Sequence, residues 1–172
     1  TSGVDIPLYS LNSRFTVIVF WSPDCGHCKK EMPKIESFYP ELQQLGAEVY
    51  AVYSEDEFDK WKTWLRGHKY PWINVCNAKG TEQYQLKYNV DQTPMIYLLD
   101  KNKIIFGKKI NIEQVPGIIK DRIKYEESKS SLNISTSWCT NNVIKHNTDI
   151  TPVNSIIINT ILLYPFLLCI IL

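Results

Sequence analysis

One stretch constrains this chain more than any other: Val17–Pro33, VIVFWSPDCGHCKKEMP. Its apolar, β-branched beginning reads as a buried strand, breaks at Ser22-Pro23-Asp24, and resumes as a helix whose first turn carries Cys25 and Cys28. The first amide groups of a helix lack partners within it and the helix dipole is positive at that end, so a thiolate placed there is stabilised. Cys28 follows about one turn later, within reach of a short disulfide to Cys25. An attacking thiol and a resolving thiol are what dithiol exchange requires.

A C-x-x-C pair is also half of many zinc sites, which need a second close-spaced pair to complete the tetrahedron. The remaining candidates are His27, His68, Cys76, Cys139 and His146, and they form no such pair. The strand-then-helix setting points instead to redox chemistry. Five cysteines in 172 residues are too few for a disulfide scaffold, and a formal charge of +1 is no nucleic-acid-binding balance. The chain opens on Thr1 and reads as processed or excised from a longer one.

Either side of the motif the pattern is that of one α/β domain. IPLYSL, residues 6–11, reads as a short edge strand or hairpin, confined to an edge by Pro7. The helix opened by Cys25 runs to about Leu45 and stops at Gly46; Pro33 and Pro40 lie inside it, and its inner side carries Met32, Ile35, Phe38, Tyr39, Leu42 and Leu45. EVYAVY, residues 48–53, is the next strand. A helix over Glu55–Arg66 follows, with Ser54 as N-cap and Ser54-x-x-Glu57 in capping-box form. Its stripe of Phe58, Trp61, Trp64 and Leu65 reads as core packing. Then come an extended segment over 71–75, a turn over 77–80, a short helix over 82–88 and a strand over Met95–Leu99. A turn at Asp100-Lys101-Asn102 leads into a strand over Lys103–Phe106, and a last helix spans Asn111 to about Lys124. This order implies a mixed sheet with helices on both faces, complete by about residue 125.

From Glu126 the composition changes to a low-complexity tail rich in Ile, Asn, Ser and Thr, without periodicity over 128–154. Residues 156–172 carry no charge and reach the lower limit for a membrane span. The tail reads either as a C-terminal anchor or, preferred, as a segment without selected structure.

The run Phe20-Trp21-Ser22-Pro23-Asp24-Cys25-Gly26-His27-Cys28-Lys29-Lys30, with Pro33 and with Thr93-Pro94 before a strand, resembles the thioredoxin superfamily over about residues 3–125. The separation of 69 residues from Cys25 to Pro94, and the extra helix and strand between Glu55 and Cys76, look like the TlpA/ResA-type thiol-disulfide oxidoreductases of bacterial envelopes. The motif also looks like the C-terminal thioredoxin-like domains of Bacteroidetes envelope proteins. The resemblance implies a three-layer α/β/α domain at 1–125, periplasmic placement, protein disulfide or dithiol substrates, an upstream thiol reductant, and no cofactor beyond the redox-active disulfide. It further implies that Cys25 attacks and Cys28 resolves, more as reductant than as oxidant. Pro94 is expected to be cis, with Thr93 offering backbone groups to an extended substrate. Trp21 is expected to pack beside the motif, with Gly26 and His27 between the thiols.

Two positions depart from the pattern. Val19 stands where thioredoxin keeps a buried Asp, so the proton acceptor for Cys28 lies elsewhere; Glu55 is the candidate carried over for it. Two rival readings remain. A copper chaperone of the same fold would add His68 to the two cysteines, though these stand two residues apart rather than three, and a thiol peroxidase needs a Thr and an Arg around its Cys, where the only nearby basic groups are Lys29 and Lys30.

Overall fold

A computed structural model of the chain describes residues 4–77 and 83–146, with side chains to residue 131. Five strands form one sheet in the order β3-β2-β1-β4-β5. They are β1 (Phe15–Trp21), β2 (Ala47–Tyr53), β3 (Ile73–Cys76), β4 (Met95–Leu99) and β5 (Ile105–Lys108). The helices are α1 (Gly26–Gln44), α2 (Phe58–Gly67), α3 (Tyr84–Lys87) and α4 (Val115–His146).

The central strand is β1, whose seven residues are all buried. It runs parallel to β2, from Phe15↔Ala47 to Trp21↔Tyr53, and antiparallel to β4, from Phe20↔Met95 to Thr16↔Leu99. Alternation along the strand divides the core in two. Phe15, Val17, Val19 and Trp21 meet α1, Trp61 of α2, Ile112 just before α4, and Val115 and Ile119 at the start of α4. Ile18 and Phe20 face Leu8, Leu11, Tyr84, Tyr88 and Val90. Helices α1 and α2 and the start of α4 therefore share one face, and the other has a thinner cover made of a short 3-10 turn and α3. In α1, Cys28, Met32, Ile35, Tyr39 and Leu42 are buried, and both prolines lie within the helix. Gly46, at φ +75°, turns the chain into β2.

Several boundaries differ from the sequence expectation, each for a local reason. IPLYSL forms no strand. Residues Leu8–Ser10 make a 3-10 turn, and the Tyr50 hydroxyl donates to the Ile6 carbonyl at 2.6 Å, spending backbone that a strand would need. Helix α2 starts at Phe58 rather than Glu55, because the Ser54 amide donates to the Trp21 carbonyl at 3.0 Å and extends the sheet ladder. Ser54 caps nothing there; the N-cap residue is Glu57, without a side-chain cap. Strand β5 begins at Ile105 because the Asp100 carboxylate accepts the amides of Asn102 and Ile104 at 2.9 and 3.0 Å, prolonging the turn. At the last helix, a 3-10 turn over Ile112–Gln114 precedes α4, and α4 continues past Lys124 to His146. No Gly or Pro interrupts the chain between Gly117 and Pro152.

The chain divides after Tyr125 into two compact units, Thr1–Tyr125 and Glu126–Leu172. In the second, the hydroxyls of Ser130 and Ser131 donate to the carbonyls of Glu126 and Glu127 at 3.0 Å. Among the described residues no helix is long and apolar enough to cross a membrane. The apolar run 156–172 and most of the turn expected over 77–80 lie outside the described residues.

Candidate functional site

The sheet ends its central strand at Trp21, and the chain must reverse into α1 within four residues. Ser22 makes that possible. It is fully buried; its hydroxyl accepts the Asp24 amide at 3.1 Å and its carbonyl accepts the Cys25 amide at 3.3 Å. A Ser side chain taking the amide two residues on is a local turn device. It delivers Cys25 to the N-cap of α1 in extended conformation (φ −76°, ψ 117°).

At that position the Cys25 sulfur accepts the Cys28 amide at 3.2 Å, as an N-cap side chain does. On its other side the Cys25 thiol donates to the Thr93 carbonyl at 3.1 Å. Cys25 is half-buried and Cys28 is 1% exposed; neither is bridged. The two thiols titrate in opposite directions. Burial pushes Cys25 up, but its contacts with Cys28 and Thr93 and the amides of Cys28 and His27 outweigh that and hold it below the ordinary thiol value. Burial also pushes Cys28 up, and there the hydrogen bond with Cys25 adds to it, so Cys28 rises to about 12.

Thr93 comes from the far side of β1. The Thr93–Pro94 bond is cis and opens β4, whose first residue, Met95, pairs with Phe20. The segment before it is held by aromatic contacts. Tyr84 stacks on Phe20 at 5.6 Å and Tyr88 tilts against it at 5.4 Å, and the Tyr84 hydroxyl donates to the Tyr53 carbonyl. The Tyr97 hydroxyl donates to the Tyr88 carbonyl. Asp91 is paired with Lys109 at 2.9 Å.

Trp21 is fully buried beside the motif, its ring 6.5 Å from Trp64 and 6.3 Å from Tyr70. Gly26 and His27 are exposed, and a Cβ on Gly26 would meet only open space. Asp24 is paired with Lys60 at 3.1 Å, and Lys60 also meets Glu57 at 2.8 Å. Asp24 and Lys60 border an open groove of about 540 Å³ that Lys29, Trp64 and His68 also line. His68 stacks on Trp64 at 4.1 Å, with its Nδ1 3.1 Å from the Trp64 carbonyl.

The structure thus brings Cys25, Cys28, Thr93, Pro94 and Trp21 together. Glu55 is exposed on the loop after β2, where its charge and that of Asp24 both act on the Tyr53 hydroxyl. Val19 is an ordinary core residue between Ala51 and Ile96. Among the described residues, no group of three or more His, Cys, Asp and Glu side chains gathers as a metal site. Cys139 and His146 lie beyond the described side chains. Sequence reasoning overlooked Ser22 and the Trp64–His68 groove. A Ser-Pro-Asp turn directly after an apolar strand is the signal that points to the first; the second arises only when α2 docks.

The sequence profile of the AhpC/TSA family matches residues 1–107. The chain is similar to the thiol-disulfide oxidoreductase ResA of Bacillus cereus, 29% identical over 110 residues that span 63% of this chain and 61% of the relative. To the ResA of Bacillus thuringiensis it is 29% identical over 124 residues, 69% of each. Against the first of these, the chain spans less than two thirds of the relative's length. A crystal structure of a domain of a possible thiol-disulfide isomerase from Cytophaga hutchinsonii superposes with a TM-score of 0.63 at 32% identity, covering 72% of this chain and 83% of that one.

Proposed function

Starting from the chain's membership of the AhpC/TSA family, we propose that it is a thioredoxin-like thiol-disulfide oxidoreductase acting on protein substrates, with Cys25 as attacking thiol and Cys28 as resolving thiol. The observation that carries this reading is the asymmetry of the pair. One sulfur sits half-exposed on a helix N-cap with its ionisation eased; the other is buried one turn on with its ionisation suppressed. Cys25 thiolate attacks a substrate disulfide and one substrate sulfur leaves as thiolate. Cys28 then attacks Cys25 in the mixed disulfide, releasing the second substrate thiol and leaving Cys25–Cys28 oxidised. Reversal oxidises a dithiol.

The reducing direction, the periplasmic placement and the upstream thiol reductant rest on the resemblance to TlpA/ResA-type proteins. Thr93 and Pro94 form the wall against which an extended substrate segment lies, with Thr93 backbone groups within reach of it. No cofactor is assigned beyond the Cys25–Cys28 disulfide itself. A Cys28→Ser variant incubated with a bacterial envelope extract is expected to retain proteins as adducts at Cys25 that a thiol reductant releases, whereas Cys25→Ser retains none. Absence of adducts from Cys28→Ser overturns the exchange role.

A further inference from the structure

The open groove beside the cysteines takes no part in the exchange chemistry itself. Its lining comes from two elements: Pro23, Asp24 and Lys29 from the turn and first coils of α1, and Trp64 and His68 from the end of α2. Pro23 and Asp24 directly precede Cys25, and the Lys29 amide donates to the Cys25 carbonyl at 3.2 Å, so Lys29 stands one turn along from the attacking thiol. The groove therefore begins next to Cys25 and opens toward α2. Thr93 reaches the same sulfur from β4, on the other side of β1 from β2 and the helix that follows it.

The charges along this groove are not equally available. Asp24 is paired with Lys60 at 3.1 Å, and Lys60 is shared with Glu57 at 2.8 Å. Asp59 lies 3.9 Å from Lys62 with its side chain fully exposed. Lys29 has no carboxylate partner among the described residues; its ammonium rests over the Trp64 ring at 5.8 Å. Trp64 is itself held, stacked on His68 at 4.1 Å and packed 6.5 Å from Trp21. A cation resting on a fixed aromatic ring is placed before any partner arrives, so less side-chain freedom is lost when one does. The amino end of α1 adds partial positive charge from its backbone.

We propose that this groove receives the residue next to the reacting cysteine of a protein substrate, and that Lys29 favours an acidic residue there by pairing with its carboxylate beside the Trp64 ring. This rests on the exchange reading above. The occupant is an extended stretch of substrate with aspartate or glutamate beside its disulfide cysteine, which meets Thr93 on one side of Cys25 and the groove on the other. A basic neighbour meets Lys29 as a like charge, and a neutral one gains only the ledge of Trp64 and His68. Lys29 is exposed, so the pair contributes on the scale of a surface salt bridge.

The test uses the reduced full chain and three capped tripeptides, Glu-Cys-Glu, Gln-Cys-Gln and Lys-Cys-Lys, each joined through its Cys to nitrothiobenzoate. Cys25 thiolate attacks the peptide sulfur, the bond from that sulfur to nitrothiobenzoate breaks, and its electrons leave on the coloured thiolate, whose release gives the attack rate. Dividing each rate by that of mercaptoethanol with the same peptide removes differences in intrinsic reactivity. The acidic peptide is expected to react about threefold faster than the neutral one, and the basic peptide more slowly. In Lys29→Gln the acidic-to-neutral ratio is expected to fall to about one, Lys29→Arg is expected to retain it, and about 0.5 M salt is expected to erase it. Each ratio compares peptides on the same protein, so a smaller folded fraction in a variant cancels. Equal rates for the three peptides on the wild-type chain, a preference for the basic one, or an acidic preference that survives Lys29→Gln overturns the role of Lys29. Release by the wild-type chain no faster than by Cys25→Ser, whichever peptide is used, overturns the exchange reading itself.

Discussion

The sharpest consequence of the asymmetric thiol pair is that its two steps respond differently to pH. Cys28 rises to about 12, from burial first and from Cys25 second. Capture of Cys25 in a mixed disulfide removes the second cause and leaves the larger one, because the 1% exposure of Cys28 is set by the core and not by its neighbour. Far below such a value the thiolate fraction grows about tenfold with each pH unit, so resolution is expected to accelerate roughly 100-fold between about pH 7 and about pH 9. Attack by Cys25, whose pKa lies below the ordinary thiol value, is expected to gain less over the same interval. Stopped-flow mixing of the reduced chain with a dithiobis(nitrobenzoate) disulfide, in which attack and resolution each release one coloured thiolate, reads both rates in one trace. Resolution that gains no more than attack refutes the reasoning, since it requires a base acting on Cys28; repeating the series with Glu55→Gln then shows whether that base is Glu55.

Two further outcomes follow from packing. Gly46→Ala places an L-residue at φ +75° with its Cβ 3.3 Å from the Arg14 Cβ, and is expected to lower stability to chemical denaturant by ~1–2 kcal/mol while leaving both thiol-exchange rates unchanged. A chain ending at Tyr125 is expected to unfold cooperatively and to reduce insulin disulfides as fast as the full chain; loss of cooperative unfolding places the domain boundary elsewhere.

The parts of the fold that could be read in advance are those whose causes are local. The strand-turn-helix of Phe15–Gln44 follows from a continuous apolar run, a Ser-Pro-Asp break and a cysteine suited to an N-cap. Two of the misplaced boundaries arise where a distant group takes a backbone partner. Ser54 has the composition of a helix cap, yet its amide is claimed by Trp21 in the neighbouring strand. IPLYSL has the alternation of a strand, yet Tyr50, from β2, holds its backbone. The helical stripe Phe58, Trp61, Trp64 and Leu65 is core in the sense that all four pack on it, but only Trp61 is buried. Trp64 serves the groove beside Asp24 as well. At the site, the resemblance implies a cis Pro94 facing the cysteines; the hydrogen bond of Cys25 to Thr93 and the Ser22 turn depend on angles at the end of β1 that no spacing encodes.

The antiparallel pairing of β1 with β4 has a consequence for the chain during synthesis. Phe20 and Met95 are separated by most of the domain, and their junction is what sets Thr93 against Cys25. Before β4 has emerged and docked, the two cysteines sit on a chain that has neither the Thr93 contact nor the enclosing core, and both behave as unremarkable thiols. Contacts of such long sequence separation form late. Nucleophilic character at Cys25 therefore develops together with the closed domain, so a ribosome-bound fragment holding the C-x-x-C motif alone is poorly equipped to form mixed disulfides with its neighbours.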